Sequence, residues 1–128
     1  MLINQLSVFM ENKEGRLEQV LETLKEGNIN INSLSLAETT DYGLLRMIVS
    51  DPDAGKKALK EKGFSAMLTP VLAVDVADEV GQLQVVLTKI TQAGINIEYV
   101  YSMKAGGDGA TIIIRTSDLE KTEEILKA

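Results

Sequence analysis

The chain of 128 residues carries 19 acidic and 13 basic side chains, a net charge of −6, and it contains neither cysteine nor histidine. An acidic chain without a basic stripe repels phosphate backbones, so we expect neither nucleic acid nor a membrane surface as a partner. Without thiols and imidazoles the chain lacks the usual zinc ligands, thiolate nucleophiles and histidine bases, so we expect no metal, no cofactor and no catalytic residues.

The beginning of the chain changes from a strand-like to a helix-like period. Residues 2–10 have a polarity period of two, which predicts a strand with one better-buried face. From Leu17 to Leu24 the apolar residues recur at i, i+3, i+4 and i+7, which predicts an amphipathic helix. Gly27 follows the last turn and is typical of a helix end, because glycine adopts the left-handed conformation easily.

The rest of the first half adds two strands, a helix and a further strand. Residues 29–37 and 44–49 are strand-like and are separated by a polar turn short enough for a hairpin. Pro52 follows a capping aspartate and begins a second predicted helix, which ends at Gly63. Residues 64–69 form a fourth predicted strand, and the first half is therefore β-α-β-β-α-β.

The second half repeats this order after Pro70 interrupts the strand-like run. Its helix covers residues 83–90, and its strands cover residues 95–103 and 110–116. A last helix begins at Leu119 and leaves no residues for a fourth strand of this half. Because unpaired strand edges in soluble proteins are normally covered, we expect this protein or a partner to cover that edge.

Eight identical residues recur at a fixed offset of 66 positions. They are Val8, Gly15, Leu17, Val20, Leu21, Ile29, Asn30 and Ile31 in the first half, and Val74, Gly81, Leu83, Val86, Leu87, Ile95, Asn96 and Ile97 in the second. A common register across a turn, a helix and a strand indicates a duplicated unit, with halves at residues 1–69 and 70–128. Because each half is small, we expect the two to share an interface.

The order of the elements predicts the fold class. Right-handed crossovers place both helices of a β-α-β-β-α-β unit on one face of an antiparallel sheet. We therefore predict an α+β protein with two tandem ferredoxin-like βαββαβ repeats, of which the second lacks its last strand. The other face of each sheet is left for solvent, for the other repeat or for a second chain.

The repeated motifs resemble the ACT domain, a small ligand-sensing module attached to enzymes of amino-acid metabolism. In the first half they are Asn12-x-x-Gly15-x-Leu17, Gly27-Asn28-Ile29-Asn30-Ile31 and the strand end at residues 45–51. In the second half they are Gly81-x-Leu83, Gly94-Ile95-Asn96-Ile97 and residues 112–118. The resemblance covers nearly the whole chain and implies a stand-alone tandem ACT protein.

The resemblance also implies a ligand site. In the family an amino-acid effector lies where two ACT domains meet, held by the loop after the first strand and by the start of the second strand. Carried over, these positions are Asn12, Gly15, Asn30, Asp78, Gly81 and Asn96. The residue types suit this role, because glycine lets the backbone approach a ligand and the free amides of a first helical turn attract a carboxylate.

Asparagine offers both a donor and an acceptor for an ammonium or a polar side chain. The negative charge of Asp78 would repel a carboxylate, so we expect one good site per chain, with Asn12 and Gly15 as the carboxylate cradle and Asn96 converging on the same ligand. Structural alternatives exist for each position. Asn12 and Asp78 would cap their helices, Gly15 and Gly81 would ease turns, and Asn30 and Asn96 would bond to solvent or to a strand edge.

The leading functional hypothesis is a non-enzymatic regulatory module that binds a small amino acid at the interface of its repeats and modulates an enzyme of amino-acid metabolism. The alternative is a ligand-free interaction subunit that docks on a partner enzyme. We expect a homodimer that covers the strandless edge of the second half. Residues 1–20 contain neither a signal-peptide core nor a membrane span, so we also expect a cytoplasmic protein.

Overall fold

The structure, a computed structural model, describes residues 1–77, 79–104 and 109–127. The elements in chain order are β1 (Leu2–Glu11), α1 (Arg16–Glu26), β2 (Ile31–Glu38), β3 (Tyr42–Val49), α2 (Pro52–Glu61), β4 (Ser65–Ala77), α3 (Gln82–Gln92), β5 (Ile97–Lys104), β6 (Gly109–Thr116) and α4 (Leu119–Lys127). This order confirms the predicted α+β class. None of the helices in the described part of the chain has the length and apolar character needed to cross a membrane.

The chain divides into two compact units. The first unit is Asn4–Thr69, and the second combines Met1–Ile3 with the residues from Pro70 onward. Two long strands, β1 and β4, therefore contribute residues to both units.

The first unit has the strand order β2-β3-β1-β4. β1 and β2 both pair antiparallel with β3, and in this register Val8 lies opposite Leu45. Its core joins one face of the sheet to both helices. The buried residues that form it are Leu6, Val8, Met10, Val20, Leu24, Ile29, Leu45, Met47, Val49, Leu59 and Ala66. The amphipathic pattern of the sequence therefore packs both helices on one sheet face, as predicted.

The second unit has the order β4-β6-β5, with antiparallel pairing that places Val74 opposite Ile112. Its core is smaller and consists of Val76, Ile90, Ile95, Ile112 and Ile114, with partly buried apolar side chains packed around them. No strand follows α4 among the residues that the structure describes. The second repeat is thus shorter by one strand.

Residues from the beginning of the chain lie beside β4 in this second unit. The backbone N–H of Ala73 donates to the carbonyl of Met1 at 2.9 Å, and the nitrogen of Met1 donates to the carbonyl of Ala73 at 3.1 Å. Two residues that exchange both backbone bonds form the hydrogen-bonded pair of an antiparallel ladder. At Ala73, Met1 of the same chain therefore covers the strand edge that we expected to be open. At that point the edge does not require a second chain.

The strand β4 continues through Pro70, whereas the sequence predicted an interruption there. Proline lacks the N–H donor but keeps its carbonyl acceptor, and its fixed φ is compatible with an extended chain. The carbonyl of Pro70 accepts a hydrogen bond from Arg115 Nη1 at 2.6 Å. The proline therefore removes one donor from the ladder without ending the strand.

Two buried positions of the helices distinguish the cores of the two units. Gly55 of α2 is buried, and a Cβ placed on it would lie 2.9 Å from Cδ2 of Leu6. In this part of the chain the offset between the halves is 67, because Ser50-Asp51 recurs as Ser117-Asp118, and the counterpart of Gly55 is therefore Thr122 of α4. Thr122 is fully buried, and its hydroxyl lies 2.7 Å from the carbonyl of Asp118 and 2.8 Å from Oγ1 of Thr116. One helix is thus closely packed on its sheet, and the other is held by a buried hydroxyl pair.

Candidate functional site

Asn12 fastens the loop after β1 to the turn between β2 and β3. Its backbone N–H donates to the carbonyl of Asp41 at 2.8 Å, and its side-chain Nδ2 donates to the carbonyls of Thr39 at 3.1 Å and Thr40 at 3.3 Å. The N-cap of α1 is Gly15, without a side-chain cap. The alternative that Asn12 caps this helix is therefore wrong, and the side-chain oxygen Oδ1 is the atom that Asn12 can offer to a ligand.

The glycines of the two Gly-x-Leu motifs have the same backbone conformation. Gly15 has φ of +83° and Gly81 has φ of +86°, in the left-handed region that disfavours other residues. A Cβ placed on either glycine would meet no described atom within 4 Å. Both glycines are thus needed for the turn itself, as one alternative predicted, and each leaves open space beside the start of its helix.

In the first unit this open space is a pocket of about 340 Å³, which we call the α1 pocket. It lies between the loop after β1, the first half of α1 and the β2–β3 hairpin. Its lining residues are Met10, Glu11, Asn12, Lys13, Gly15, Arg16, Leu17, Glu18, Leu21, Leu36, Glu38 and Gly43. Two of the predicted site residues, Asn12 and Gly15, are brought together here.

The α1 pocket contains charges of both signs, which lie outside the repeated motifs. The carboxylate of Glu11 lies 3.9 Å from Lys13 Nζ and 3.9 Å from Arg16 Nη2. Arg16 also donates to Gln19 Oε1 at 3.1 Å, and its guanidinium carbon lies 5.9 Å from the centre of the Phe64 ring. These pairs are long or exposed, so water screens them and a charged ligand can replace them at low cost.

Asn30 lies outside the α1 pocket, in a separate hollow of about 360 Å³ at the other end of α1. Its side chain donates to Asn32 Oδ1 at 3.0 Å. Its backbone N–H donates to Ser50 Oγ at 2.9 Å, and its carbonyl accepts from the N–H of Ser50 at 2.9 Å. Asn30 is exposed. The hydrogen bond of its side chain is the local one to Asn32, which agrees with the structural alternative of a bond to solvent or to a strand edge.

Asn96 repeats this backbone arrangement in the second unit. Its N–H donates to Ser117 Oγ at 3.2 Å, and the N–H of Ser117 donates to its carbonyl at 3.0 Å. The duplicated Ile-Asn-Ile motif thus maintains a duplicated backbone contact with a serine. The predicted position Asp78 lies outside the described residues, and the convergence of Asn12 and Asn96 on one ligand stays a prediction.

Gly81 lines a hollow of about 520 Å³ that has no charged residue in its wall. Its lining residues are Gly81, Leu83, Gln84, Leu87, Thr88, Thr91 and Gln92. At the offset of 66, the charged residues Lys13, Arg16 and Glu18 correspond to Glu79, Gln82 and Gln84. The backbone of the helix start is thus repeated, but its charges are not.

The acidic side chains of the described residues provide no metal site, because no three of them are grouped in a way that could hold an ion. The chemistry available in the α1 pocket is therefore that of hydrogen bonds and ion pairs.

Comparisons with known proteins agree with this architecture. A family model described as an ACT domain pair matches residues 1–128. A crystal structure of a Bacteroides thetaiotaomicron protein is 44% identical, with a TM-score of 0.93, over 99% of this chain and 88% of that chain. No curated protein matches the chain.

More distant structures show the fold alone. The ligand-free regulatory subunit of aspartate kinase from Thermus thermophilus is 18% identical, with a TM-score of 0.68, over 99% of this chain and 93% of that chain. Aspartokinase III of E. coli, solved in complex with lysine and aspartate, is 14% identical, with a TM-score of 0.56, over 98% of this chain and 30% of that chain.

Proposed function

Because the chain belongs to the family of ACT domain pairs, we propose that it is a non-enzymatic regulatory protein that binds a small amino acid in the α1 pocket. The observation that carries the proposal is the composition of this pocket. Its wall combines the bases Lys13 and Arg16 with the acids Glu11, Glu18 and Glu38 around an apolar floor. A free amino acid has the complementary set of groups, an ammonium, a carboxylate and a side chain.

The start of α1 supplies the carboxylate half of the site. The N–H groups of Leu17 and Glu18 belong to the first turn, where the helix has no carbonyl for them, and both residues line the pocket. The positive end of the helix dipole lies at the same place. Arg16 adds a guanidinium, which binds carboxylates with two parallel hydrogen bonds.

The loop after β1 supplies the ammonium half. Nδ2 of Asn12 donates to two hairpin carbonyls, so Asn12 meets the ammonium through Oδ1 instead of serving as part of the carboxylate cradle. Glu11, the last residue of β1, lines the same pocket and adds a negative charge. The pocket volume of about 340 Å³ is at the lower end of the range for small-molecule sites, which suits a ligand of this size.

The regulated partner is, in this proposal, an enzyme of amino-acid metabolism. Support comes from the structural neighbours, which include a regulatory subunit of aspartate kinase and an aspartokinase bound to lysine and aspartate. The fold is common to all of them, and the charges of the α1 pocket are of the kind that an amino-acid site requires.

Isothermal titration calorimetry with each of the twenty amino acids tests whether the chain binds an amino acid. We expect at least one to bind with measurable heat, and Asn12→Ala to weaken it by about tenfold or more through the loss of a polar contact. Asn32→Ala is the matched control, because Asn32 is exposed and does not line the pocket. A melting curve for each variant separates binding from folding, since Asn12 also holds the hairpin.

Absence of heat with every amino acid would contradict the proposal, as would equal affinities in the wild type and Asn12→Ala. Asn96→Ala addresses the remaining prediction: a loss of affinity in that variant would bring the second unit into the site, and unchanged affinity would leave the site to the first unit.

A further inference from the structure

The outer face of α3 lacks four charges that the outer face of α1 carries, and the one charged residue of α3 is the exposed Lys89. Four exposed positions of α1 are charged, and their counterparts 66 positions later are also exposed but neutral. The charged residues are Glu18, Glu22, Lys25 and Glu26, and the neutral counterparts are Gln84, Thr88, Thr91 and Gln92. We call this second set, together with Leu83 and Leu87, the neutral face of α3.

The neutral face also exposes apolar surface. Leu83 keeps 45% of its surface accessible, and Val80, just before the helix, is fully exposed. The hydroxyl of Thr91 donates to the carbonyl of Leu87 at 3.0 Å, so one of its polar groups is satisfied within the helix. Leu83 and Leu87 line the hollow of about 520 Å³ beside these threonines. Depletion of charge with retention of apolar surface is typical of the centre of a protein interface.

The charge of the whole protein indicates which partner this face suits. Each chain has a net charge of −6, so two copies repel each other over most of their surface. Glutamates such as those of α1 would attract a basic partner. The neutral face of α3 lacks them, so it is less suited to a basic partner. A second copy is suited to a face without these charges. In a twofold contact each residue near the axis faces its own equivalent, so a charged residue there would be repelled by its copy.

We propose that the neutral face of α3 binds the neutral face of a second copy of this chain about a twofold axis. The proposal places the homodimer contact on α3 and not on the strand edge that the sequence analysis expected a second chain to cover. It does not depend on ligand binding in the α1 pocket, which lies in the other unit. The failure of one proposal therefore leaves the other intact, because the mass of the protein is measured without any amino acid.

Sedimentation equilibrium of the full chain tests the contact. We expect the wild type to have twice the 13.9 kDa mass of one chain at micromolar concentration. The double variant Thr88→Glu, Gln92→Glu gives α3 the two acids that α1 has at the corresponding positions. We expect it to raise the dimer Kd by about a hundredfold or more, because like charges then meet at the axis. The reverse change on α1, Glu22→Thr with Glu26→Gln, is the matched control and keeps the wild-type Kd.

A mixing experiment identifies the occupant as a second copy. The double variant Thr88→Lys, Gln92→Lys is expected to be monomeric alone but to form a heterodimer with the glutamate variant. Glutamate and lysine are both good helix formers, so these exposed changes keep the helix, and circular dichroism verifies it. If a double variant loses its fold, the single change at Thr88 replaces it. A monomeric wild type at 100 μM (about the upper working range), an unchanged Kd in the glutamate variant, or a mixture that stays monomeric would overturn the proposal.

Discussion

The two helix starts after β1 and β4 share a backbone but not a chemistry. Gly15 and Gly81 differ by only three degrees in φ. The backbone of Asn30 and of Asn96 donates to a serine Oγ and accepts from the N–H of the same serine. The α1 pocket nevertheless has five charged residues in its wall, whereas the hollow beside α3 has none. Duplication has thus maintained the residues that the chain conformation requires, and the side chains around them have diverged in charge.

The same divergence occurs inside the units. Gly55 lets α2 approach Leu6 closely, while its counterpart Thr122 fills the corresponding position in α4 with a methyl group and a bonded hydroxyl. Replacing a residue at such a position by its counterpart from the other unit should therefore destabilise the fold, even though the backbone is repeated.

The largest effect is expected from Gly55→Thr, which places the residue of the second unit in the first. The new Cβ would meet Leu6 at 2.9 Å and the additional atoms would crowd it further, so we expect the free energy of unfolding to fall by about 3 kcal/mol. Urea denaturation measures this change. Lys57→Thr on the exposed side of α2 is the control for helix propensity, and equal stabilities of the two variants would show that the packing difference is unimportant.

The next effect concerns the charges of the α1 pocket. Arg16→Gln gives the first unit the residue that the second unit has at position 82, and we expect it to weaken an amino-acid ligand by about 10- to 100-fold through the loss of a charged hydrogen bond. Gln82→Arg is the reciprocal control and should leave the affinity unchanged in calorimetry. A larger loss in Gln82→Arg than in Arg16→Gln would move the site to the second unit.

A smaller effect is expected from Thr122→Val, which keeps the shape of the side chain. The change removes the hydroxyl that Thr116 contacts in a buried site, so we expect a loss of about 1 to 2 kcal/mol in the free energy of unfolding. Thr23→Val serves as the control, because the Thr23 hydroxyl bonds a carbonyl of its own helix. If both variants unfold at the same urea concentration as the wild type, the hydroxyl pair does not stabilise α4.

The smallest effect compares the two glycines directly. Gly15→Ala and Gly81→Ala each force a Cβ into the left-handed region without a clash with described atoms, so both should lose about 1 kcal/mol of stability. Only Gly15→Ala should also reduce ligand affinity, since its methyl group enters the α1 pocket. Thermal melts and calorimetry on the same samples separate the two effects, and a similar affinity loss in both variants would contradict the asymmetry.

The helices and strands were predictable because their signals are local. The periods of two and 3.6, the aspartate and proline before α2 and the glycine after α2 each act within a few residues. After α1 the left-handed residue is Asn28, with φ of +57°, and not Gly27, whose φ is −81°. The continuation of β4 through Pro70 was not predictable in this way, because it depends on neighbours distant in sequence, including the Arg115 side chain that bonds the proline carbonyl. The pairing of Met1 with Ala73 depends on distant neighbours for the same reason.

Only those residues of the candidate site that the backbone also requires were predictable from the sequence. Residues identical in the two halves, such as Gly15 and Asn30, are those that the fold needs twice. Arg16, Glu18 and Glu38 line the α1 pocket but have neutral or differently charged counterparts in the second half. The positions where a repeat departs from itself are thus the better signal for a function that belongs to one unit.

The placement of Met1–Ile3 in the second unit has a consequence for the order of folding. The bonds between Met1 and Ala73 join residues 72 positions apart and close a loop that contains the whole first unit. Contacts this distant in sequence form slowly, because the entropy of a long loop must be lost first. The first unit is one continuous segment and can fold while synthesis proceeds, but residues 1–3, which are synthesised before it, are among the last to find their partners.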